Sequence, residues 1–299
     1  MKHLLSIEKL PTEDIRVILN NSDVFKRQRG LTQRQPLAGQ SWGMLFSKSS
    51  TRTRVSFEVG VQELGGQAIF LNAKDIQLGR GEPIKDTARV LGRMLHGVII
   101  RTFAQSDVDR FATYSGVPTI NALTDAEHPC QILTDIHTYQ EKRGPIEGKV
   151  VAFIGDGACN VPVSWMFAAG KLGFEFRIGA PKRYQPSAEL IRRAGGNVVL
   201  CEDPQEASNG ADLLYTDVWI SMGMEEESAR RIQDLKGYQI NKSMLARAKP
   251  DALVMHCLPA YRGMEIDEDT FEAHADTIFD QAENRLHVQK SILDWIATE

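Results

Sequence analysis

The sequence predicts an α/β protein of two doubly wound domains, each built on a parallel sheet, with an active-site cleft between them. Three observations predict it. Short apolar runs, each followed by a turn and then by a helical pattern, recur along the chain, and such alternation makes parallel sheets covered on both faces. The charged, turn-rich segment 141–148 (Glu-Lys-Arg-Gly-Pro-Ile-Glu-Gly) interrupts the pattern near the middle of the 299 residues, a length that suits two domains of about 150 residues. Clusters of polar residues follow directly after strand runs, where the carboxyl ends of parallel strands border ligand crevices.

In the first half, residues 42–46, 67–71, 97–102 and 119–122 read as buried strands. Between the first two lies a helical stretch, 55–64, in which Phe57, Val61 and Leu64 share one face at i, i+4 and i+7. Gly65-Gly66 then ends that helix. In the second half the strands are 149–154, 175–178, 197–201, 212–216 and 253–256. The tail 281–297 is amphipathic, with Val288, Ile292 and Ile296 four apart, and is expected to pack as a last helix. The expected domains are thus 1–140 and 148–280, followed by a C-terminal helix over 281–299.

Composition narrows the function classes. Thirty-five basic against thirty-nine acidic residues leave a formal charge of −4, which argues against a nucleic-acid partner. There is no apolar run of the roughly 18 residues a membrane span needs. The start, MKHLLSIEKLPTEDI, lacks the apolar core and small-residue cleavage site of a signal peptide. Cys130, Cys159, Cys201 and Cys257 form no Cys-x-x-Cys pair, and reduced thiols in a cytoplasmic protein are expected.

Three motifs carry possible chemistry. Ser50-Thr51-Arg52-Thr53-Arg54 follows one predicted strand and opens a predicted helix. Helix N-terminal N–H groups, three hydroxyls and two guanidiniums suit an anion. An ordinary Ser/Thr cap with solvated arginines fits the same residues equally well. The P-loop lysine is absent, so a nucleoside triphosphate is not implied. His128-Pro129-Cys130-Gln131 follows the strand 119–122 and, taken alone, is a weak signal. Gly155-Asp156-Gly157 starts like a dinucleotide fingerprint, but Asn160 stands at the third glycine position. The next strand ends in Gly179-Ala180-Pro181 with no acid for a ribose hydroxyl. A nicotinamide or flavin is therefore not expected, and no other cofactor is implied.

Combined, the motifs become specific. Ser50–Arg54, His128–Gln131 and His256-Cys257-Leu258-Pro259 occur in the order and spacing of carbamoyltransferases, together with the Asp-Thr-Ala-Arg-Val-Leu-Gly-Arg run at 86–93. The chain resembles the aspartate/ornithine carbamoyltransferase family from Phe46 to Arg285. Asp217-Val-Trp-Ile-Ser-Met-Gly223 and the His-Cys-Leu-Pro motif resemble its ornithine-specific members. Two features depart from the pattern: Ser49 stands where many relatives have proline or aspartate, and the chain is slightly short.

The resemblance implies that Ser50, Thr51, Arg52 and Thr53 cradle the phosphate of carbamoyl phosphate, with Gln77, Arg101 and Arg285 as further contacts. His128 and Gln131 would hold the carbamoyl oxygen and nitrogen, with Pro129 and Cys130 between them. Asn160, Asp217, Ser221 and Met222 would hold L-ornithine, and Cys257 and Leu258 would line the place where the substrates meet. Arg52, Arg101, His128, Asp217 and Cys257 would carry the catalysis: the δ-amine attacks the carbamoyl carbon, giving citrulline and phosphate in arginine metabolism, whether toward arginine biosynthesis or ornithine recovery. A homotrimer or higher homo-oligomer is implied as well.

A covalent role for Cys257 is the minor reading, since direct transfer needs none and, if the strand continues through Cys257, alternation turns His256 away from it. No metal is expected, because His128, His137, His256 and His287 show no ligand spacing with cysteines or paired carboxylates. Residues 223–227, with three glutamates, are expected to form a mobile loop over the amino acid, or else a solvated helix start. The rival functions are transfer to another amine, such as putrescine or a modified ornithine, and a non-catalytic relative.

Overall fold

The computed structural model describes residues 1–31, 34–221 and 223–298. The chain forms two compact units: Met1–His137 with Glu283–Glu299, and Thr138–Ala282. The sequence-based domain limits placed the whole terminal helix apart; here its residues from Glu283 onward belong to the first unit.

In the first unit, helix α1 (Thr12–Arg27) precedes strand β1 (Ser41–Phe46), α2 (Thr51–Glu63), β2 (Gln67–Asn72), α3 (Ile84–Leu91), β3 (Gly97–Arg101), α4 (Gln105–Ser115), β4 (Thr119–Leu123) and α5 (Pro129–Arg143). The four strands are all parallel, in the order β2-β1-β3-β4. The chain leaves β1 for β2 on one side and returns to β3 on the other. A crevice therefore opens at the carboxyl ends of β1 and β3, the position where open α/β sheets bind ligands. The residues that follow β1 there are the Ser50–Arg54 run, and Arg101 ends β3. The register of β3 against β4 shifts between Ile100 and Arg101, and such irregularities re-aim side chains at functional edges.

The 86–93 run has a packing role. A Cβ on Gly92 would come within 1.7 Å of the Ser115 carbonyl oxygen, so only glycine lets the end of α3 meet the end of α4. Helix α1 buries Ile15, Ile18, Leu19 and Phe25 on one face. Against this unit packs the last part of the terminal helix, where Ser291 Oγ donates to the Ile18 carbonyl at 2.7 Å and buried Lys290 donates to Glu63 Oε2 at 2.6 Å.

The second unit continues with β5 (Val150–Ile154), α6 (Asn160–Leu172), β6 (Glu175–Gly179), α7 (Ala188–Ala194), β7 (Asn197–Cys201), α8 (Pro204–Ser208), β8 (Leu213–Thr216), α9 (Ser228–Asp234), α10 (Lys242–Leu245), β9 (Leu253–His256), α11 (Glu268–Ala273) and the start of α12 (Ala275–Ala297). Its five strands are parallel, in the order β7-β6-β5-β8-β9. The switch point is between β5 and β8, so the crevice is bordered by the Gly155–Asn160 turn and by Asp217. Trp165 of α6 fills the space over this sheet, edge-on to Phe174 and Tyr215 and stacked on Phe176. All nine expected strands form, within a residue or two of their expected limits. Helix α12 starts earlier than the amphipathic stretch suggested. Among the described residues no helix is long and apolar enough to cross a membrane.

Candidate functional site

The first group of candidate residues is built where β1 turns into α2. Ser50 is in extended conformation and caps the helix, its hydroxyl accepting from the Thr53 N–H at 3.2 Å. That cap satisfies one of the orphan N–H groups and leaves the remaining first-turn donors and the helix dipole at the crevice. Of the two arginines, Arg54 is spent: it donates to Glu58 Oε1 at 2.9 Å and lies 3.8 Å over the Phe70 ring. Arg52 is half-buried and its guanidinium, among the described residues, makes no hydrogen bond or ion pair. Ser50 thus realises the cap reading, and the Arg52 guanidinium stays available to an anion. Thr51 is exposed beside it.

Thr53 is buried and its Oγ1 accepts from Arg285 at 3.2 Å; the same guanidinium donates to Gln131 Oε1 at 2.6 Å. Gln131 in turn donates through Nε2 to Asp135 Oδ1 at 2.8 Å. The structure therefore brings together Thr53, Gln131 and Arg285, although 232 residues separate the first from the last. Pro129 opens α5 and sets the turn that places His128, which is 5% exposed. Burial holds the His128 imidazole well below the usual histidine range, and the Arg285 and Arg101 guanidiniums push it in the same direction. It is a neutral imidazole at physiological pH, able to donate one N–H to a carbonyl oxygen. Burial pushes the Cys130 thiol up to about 12, and its Sγ donates to the Asn121 carbonyl at 3.4 Å; Cys130 is a packed thiol. Gln77 begins an exposed 3-10 turn, Gln77–Arg80, and among the described residues no hydrogen bond or ion pair ties it to this group.

A cavity of about 790 Å³ also opens at the ends of β1 and β3, lined by Ser47, Lys74, Lys85, Thr102, Phe103 and Arg110 among others. No expected site residue lines it. Leu45 and Ile100 border the cavity, and alternation turns Phe46 and Arg101 to the opposite face of the sheet.

The buried neutral imidazole has a consequence for stability. His128 has a folded pKa below 6.5, so below about pH 6.5 the unfolded chain takes up a proton that the folded chain refuses. Stability is then lost as pH falls, by at most about 1.4 kcal/mol per pH unit for one group. His274 and His287 are also held low, both chiefly by burial, and act with the same sign. Urea midpoints compared at pH 7.5 and pH 5.5 are expected to fall less in His128→Asn than in the unsubstituted protein. Equal falls would contradict the assignment.

The second group of candidate residues is built where β5 and β8 end. Asn160 is the first residue of α6. Asp217 Oδ1 accepts from the Val218 N–H at 2.8 Å and from Cys257 Sγ at 3.0 Å. Leu258 follows with φ of +60°, a left-handed conformation costly for a branched side chain, and the Leu258–Pro259 peptide is cis. Ser221 is half-buried in the loop after β8 that also carries Asp217; Met222 lies outside the described residues. Residues 225–227 form a 3-10 turn leading straight into α9, the helix-start form of the two expectations.

One expectation is corrected. Strand alternation was to turn His256 away from its neighbour, yet ligand atoms of Asp217, His256 and Cys257 all lie within 4.8 Å of one another. The strand ends at His256 and the chain bends at Leu258, so alternation does not extend to Cys257. Such a trio has metal-binding chemistry, which sequence spacing did not reveal. The imidazole is engaged, however: Nδ1 accepts from the Leu258 N–H at 2.8 Å and Nε2 faces Glu265 Oε1 at 3.1 Å. With Nδ1 as acceptor the proton sits on Nε2, and no ring lone pair is left for an ion while both bonds stand.

Sequence reasoning also missed Arg231 and Asp156. Buried Arg231 pairs with Asp156 and donates from Nε to the Trp219 carbonyl at 2.7 Å, fixing the loop that carries Asp217 and Ser221 to the turn before Asn160. Burial pushes the Asp156 carboxyl up, opposed by Arg231. These residues are 75 apart, and no sequence pattern links them. Asp135, by contrast, stands four residues after Gln131 on one helix, a spacing that could have been read.

Comparison with known proteins matches both halves. Residues 2–141 match the family model "Aspartate/ornithine carbamoyltransferase, carbamoyl-P binding domain", and residues 147–296 match "Aspartate/ornithine carbamoyltransferase, Asp/Orn binding domain". The chain is 54% identical to an ornithine carbamoyltransferase of Akkermansia muciniphila, over 99% of this chain and 98% of that protein. Among solved structures it is similar to the anabolic ornithine carbamoyltransferase of Campylobacter jejuni (TM-score 0.93, 42% identity, 99% of each chain). It is also similar to the ornithine carbamoyltransferase of Pyrococcus furiosus (TM-score 0.91, 44% identity, 98% of this chain and 96% of that one).

Proposed function

Because the chain belongs to the aspartate/ornithine carbamoyltransferase family, we propose that it is an ornithine carbamoyltransferase, which moves the carbamoyl group of carbamoyl phosphate to the δ-amine of L-ornithine. The observation that carries the reading is the near full-length identity to proteins of that name in both halves at once. We assign carbamoyl phosphate to a domain over 1–140, ornithine to a domain over 148–280, and a supporting role to the helix over 281–299.

The chemistry follows from the groups present. The amine nitrogen bonds to the carbamoyl carbon, the bond from that carbon to the phosphate oxygen breaks, and the proton leaving nitrogen goes to the phosphate. Arg52, the Ser50, Thr51 and Thr53 hydroxyls and the first turn of α2 hold the phosphate and take up its growing charge. Arg101, neutral His128 and Thr53 polarise the carbamoyl oxygen, while Gln131 Oε1 accepts from the carbamoyl nitrogen. Arg285 braces Gln131 and Thr53. Gln77 belongs to the phosphate contacts in this reading, though it sits on its own exposed turn.

On the amine side, an alkyl ammonium with a pKa of about 10.4 must lose a proton before it attacks. The Asp217 carboxylate attracts and aims it, with Cys257 as its neighbour and Asn160, Ser221 and Met222 on the amino-acid end. A thiol that donates to Asp217, beside a histidine whose Nδ1 is already accepting, is not arranged as a nucleophile. Direct transfer is the consistent mechanism. A cytoplasmic setting, arginine biosynthesis and a homotrimer or higher homo-oligomer complete the proposal.

Purified protein given carbamoyl phosphate with ornithine, acetylornithine, putrescine or aspartate in parallel should release citrulline and phosphate with ornithine alone. Product with a different amine would replace the acceptor, and no product with any of the four would overturn the reading.

A further inference from the structure

We propose that Asp135 is a positioning residue that makes the carbamoyl phosphate site of the first unit selective for a carbamoyl group over other acyl phosphates, by fixing which end of the Gln131 amide faces the ligand. The inference rests on the carbamoyl phosphate reading above. The side-chain amide of a glutamine has two ends of similar shape and opposite hydrogen-bonding character. Here both ends are specified. Nε2 donates to Asp135 Oδ1 at 2.8 Å, and Oε1 accepts from Arg285 at 2.6 Å. A turned-over amide would set its NH2 against a guanidinium and its oxygen against a carboxyl oxygen, two repulsive contacts in place of two bonds. Gln131 is 1% exposed and Asp135 is fully buried, so no solvent is at hand to compensate.

The orientation matters because a carbonyl oxygen has two lone pairs. Arg285 takes one of those on Gln131, and the other is left to accept an N–H. A carbamoyl group offers that N–H; an acetyl group of the same shape offers a methyl and leaves the buried oxygen without its partner. Sites built to hydrogen-bond a ligand reject the analogue that lacks the group because their own polar atoms are left unpaired. An exposed Gln/Asp pair at i, i+4 does little more than support its helix. A fully buried carboxyl group is costly to place, and this one is spent on the amide of a ligand-facing residue.

The test is the ratio of dissociation constants for carbamoyl phosphate and acetyl phosphate, measured by calorimetry on the unsubstituted protein, Asp135→Asn and Asp135→Leu. The unsubstituted protein is expected to favour carbamoyl phosphate by about tenfold or more, the equivalent of one unpaired buried acceptor. Asp135→Leu loses most of that preference. Asp135→Asn keeps it, because the new side-chain carbonyl accepts the same Nε2–H. In a Gln131→Leu background, Asp135→Leu changes the ratio no further. A purely structural role would weaken both ligands together and leave the ratio intact, which overturns the proposal; so does an Asp135→Asn ratio as low as that of Asp135→Leu. If Asp135→Leu does not purify folded, Asp135→Ser carries the same expectation. An unsubstituted protein that makes citrulline while the Leu variant keeps its ratio defeats this inference alone, whereas one that makes no citrulline defeats the reading beneath it.

Discussion

Replacing Arg52 with alanine lowers citrulline formation by about a hundredfold or more, the scale of a lost oxyanion donor. The expectation comes from how the other groups of the Ser50–Arg54 run are already engaged. The Ser50 hydroxyl caps α2, the Thr53 hydroxyl accepts from Arg285, and Arg54 is held by Glu58 and the Phe70 ring. Arg52 alone among these side chains combines a positive charge, partial burial and no partner among the described residues. It stands in the first turn of α2, where backbone donors and the dipole already favour negative charge. The leaving phosphate gains charge as its bond to carbon breaks, so a donor there acts more on the transition state than on the ground state. The fall therefore shows in kcat as well as in KM for carbamoyl phosphate. Arg52→Lys recovers part of the rate, since an ammonium keeps the charge but cannot fork to two oxygens. Arg54→Ala serves as the control and stays within a few-fold of the unsubstituted rate, because its guanidinium is neutralised on the surface. Steady-state rates for the three variants check this; a near-normal rate for Arg52→Ala would remove Arg52 from the site.

The strands were legible because each is a short apolar run closed by a turn. In a parallel sheet buried on both faces that signal is strong: β1 is buried at five consecutive positions. Strand order was not legible. Nothing in the runs themselves places β3 beside β1 or β8 beside β5, and yet that order creates the two crevices where Arg52 and Asp217 stand. Motif order carried the site assignments instead. Local geometry was read well where one element sufficed, as with the Ser50 cap. It failed where an element ended, as at His256, whose side chain approaches Cys257 because the backbone bends one residue later. Long-range pairs such as Asp156 with Arg231 leave no trace in periodicity, since burial of an ion pair depends on what the fold brings together. Gln77, assigned by resemblance alone, stands on an exposed turn and among the described residues has no hydrogen bond or ion pair to the other phosphate contacts.

Asp217→Asn is expected to lower kcat/KM for ornithine by about a hundredfold, near the upper end for losing a charge-assisted hydrogen bond, while carbamoyl phosphate binds as before. The substitution preserves shape. Asparagine can still accept from the Val218 N–H and from Cys257 Sγ through its carbonyl oxygen, so the end of β8 keeps its local bonds. What is lost is the negative charge. An ammonium approaching a carboxylate is attracted and oriented, and its proton has an acceptor at hand; an amide offers a dipole alone. Calorimetry with carbamoyl phosphate provides the internal control, because Ser50, Arg52, Gln131 and Arg285 all belong to the other unit. Weakened carbamoyl phosphate binding in Asp217→Asn would show that the two halves do not divide the labour in this way. Unchanged ornithine kinetics would show that the charge acts elsewhere than on the amine.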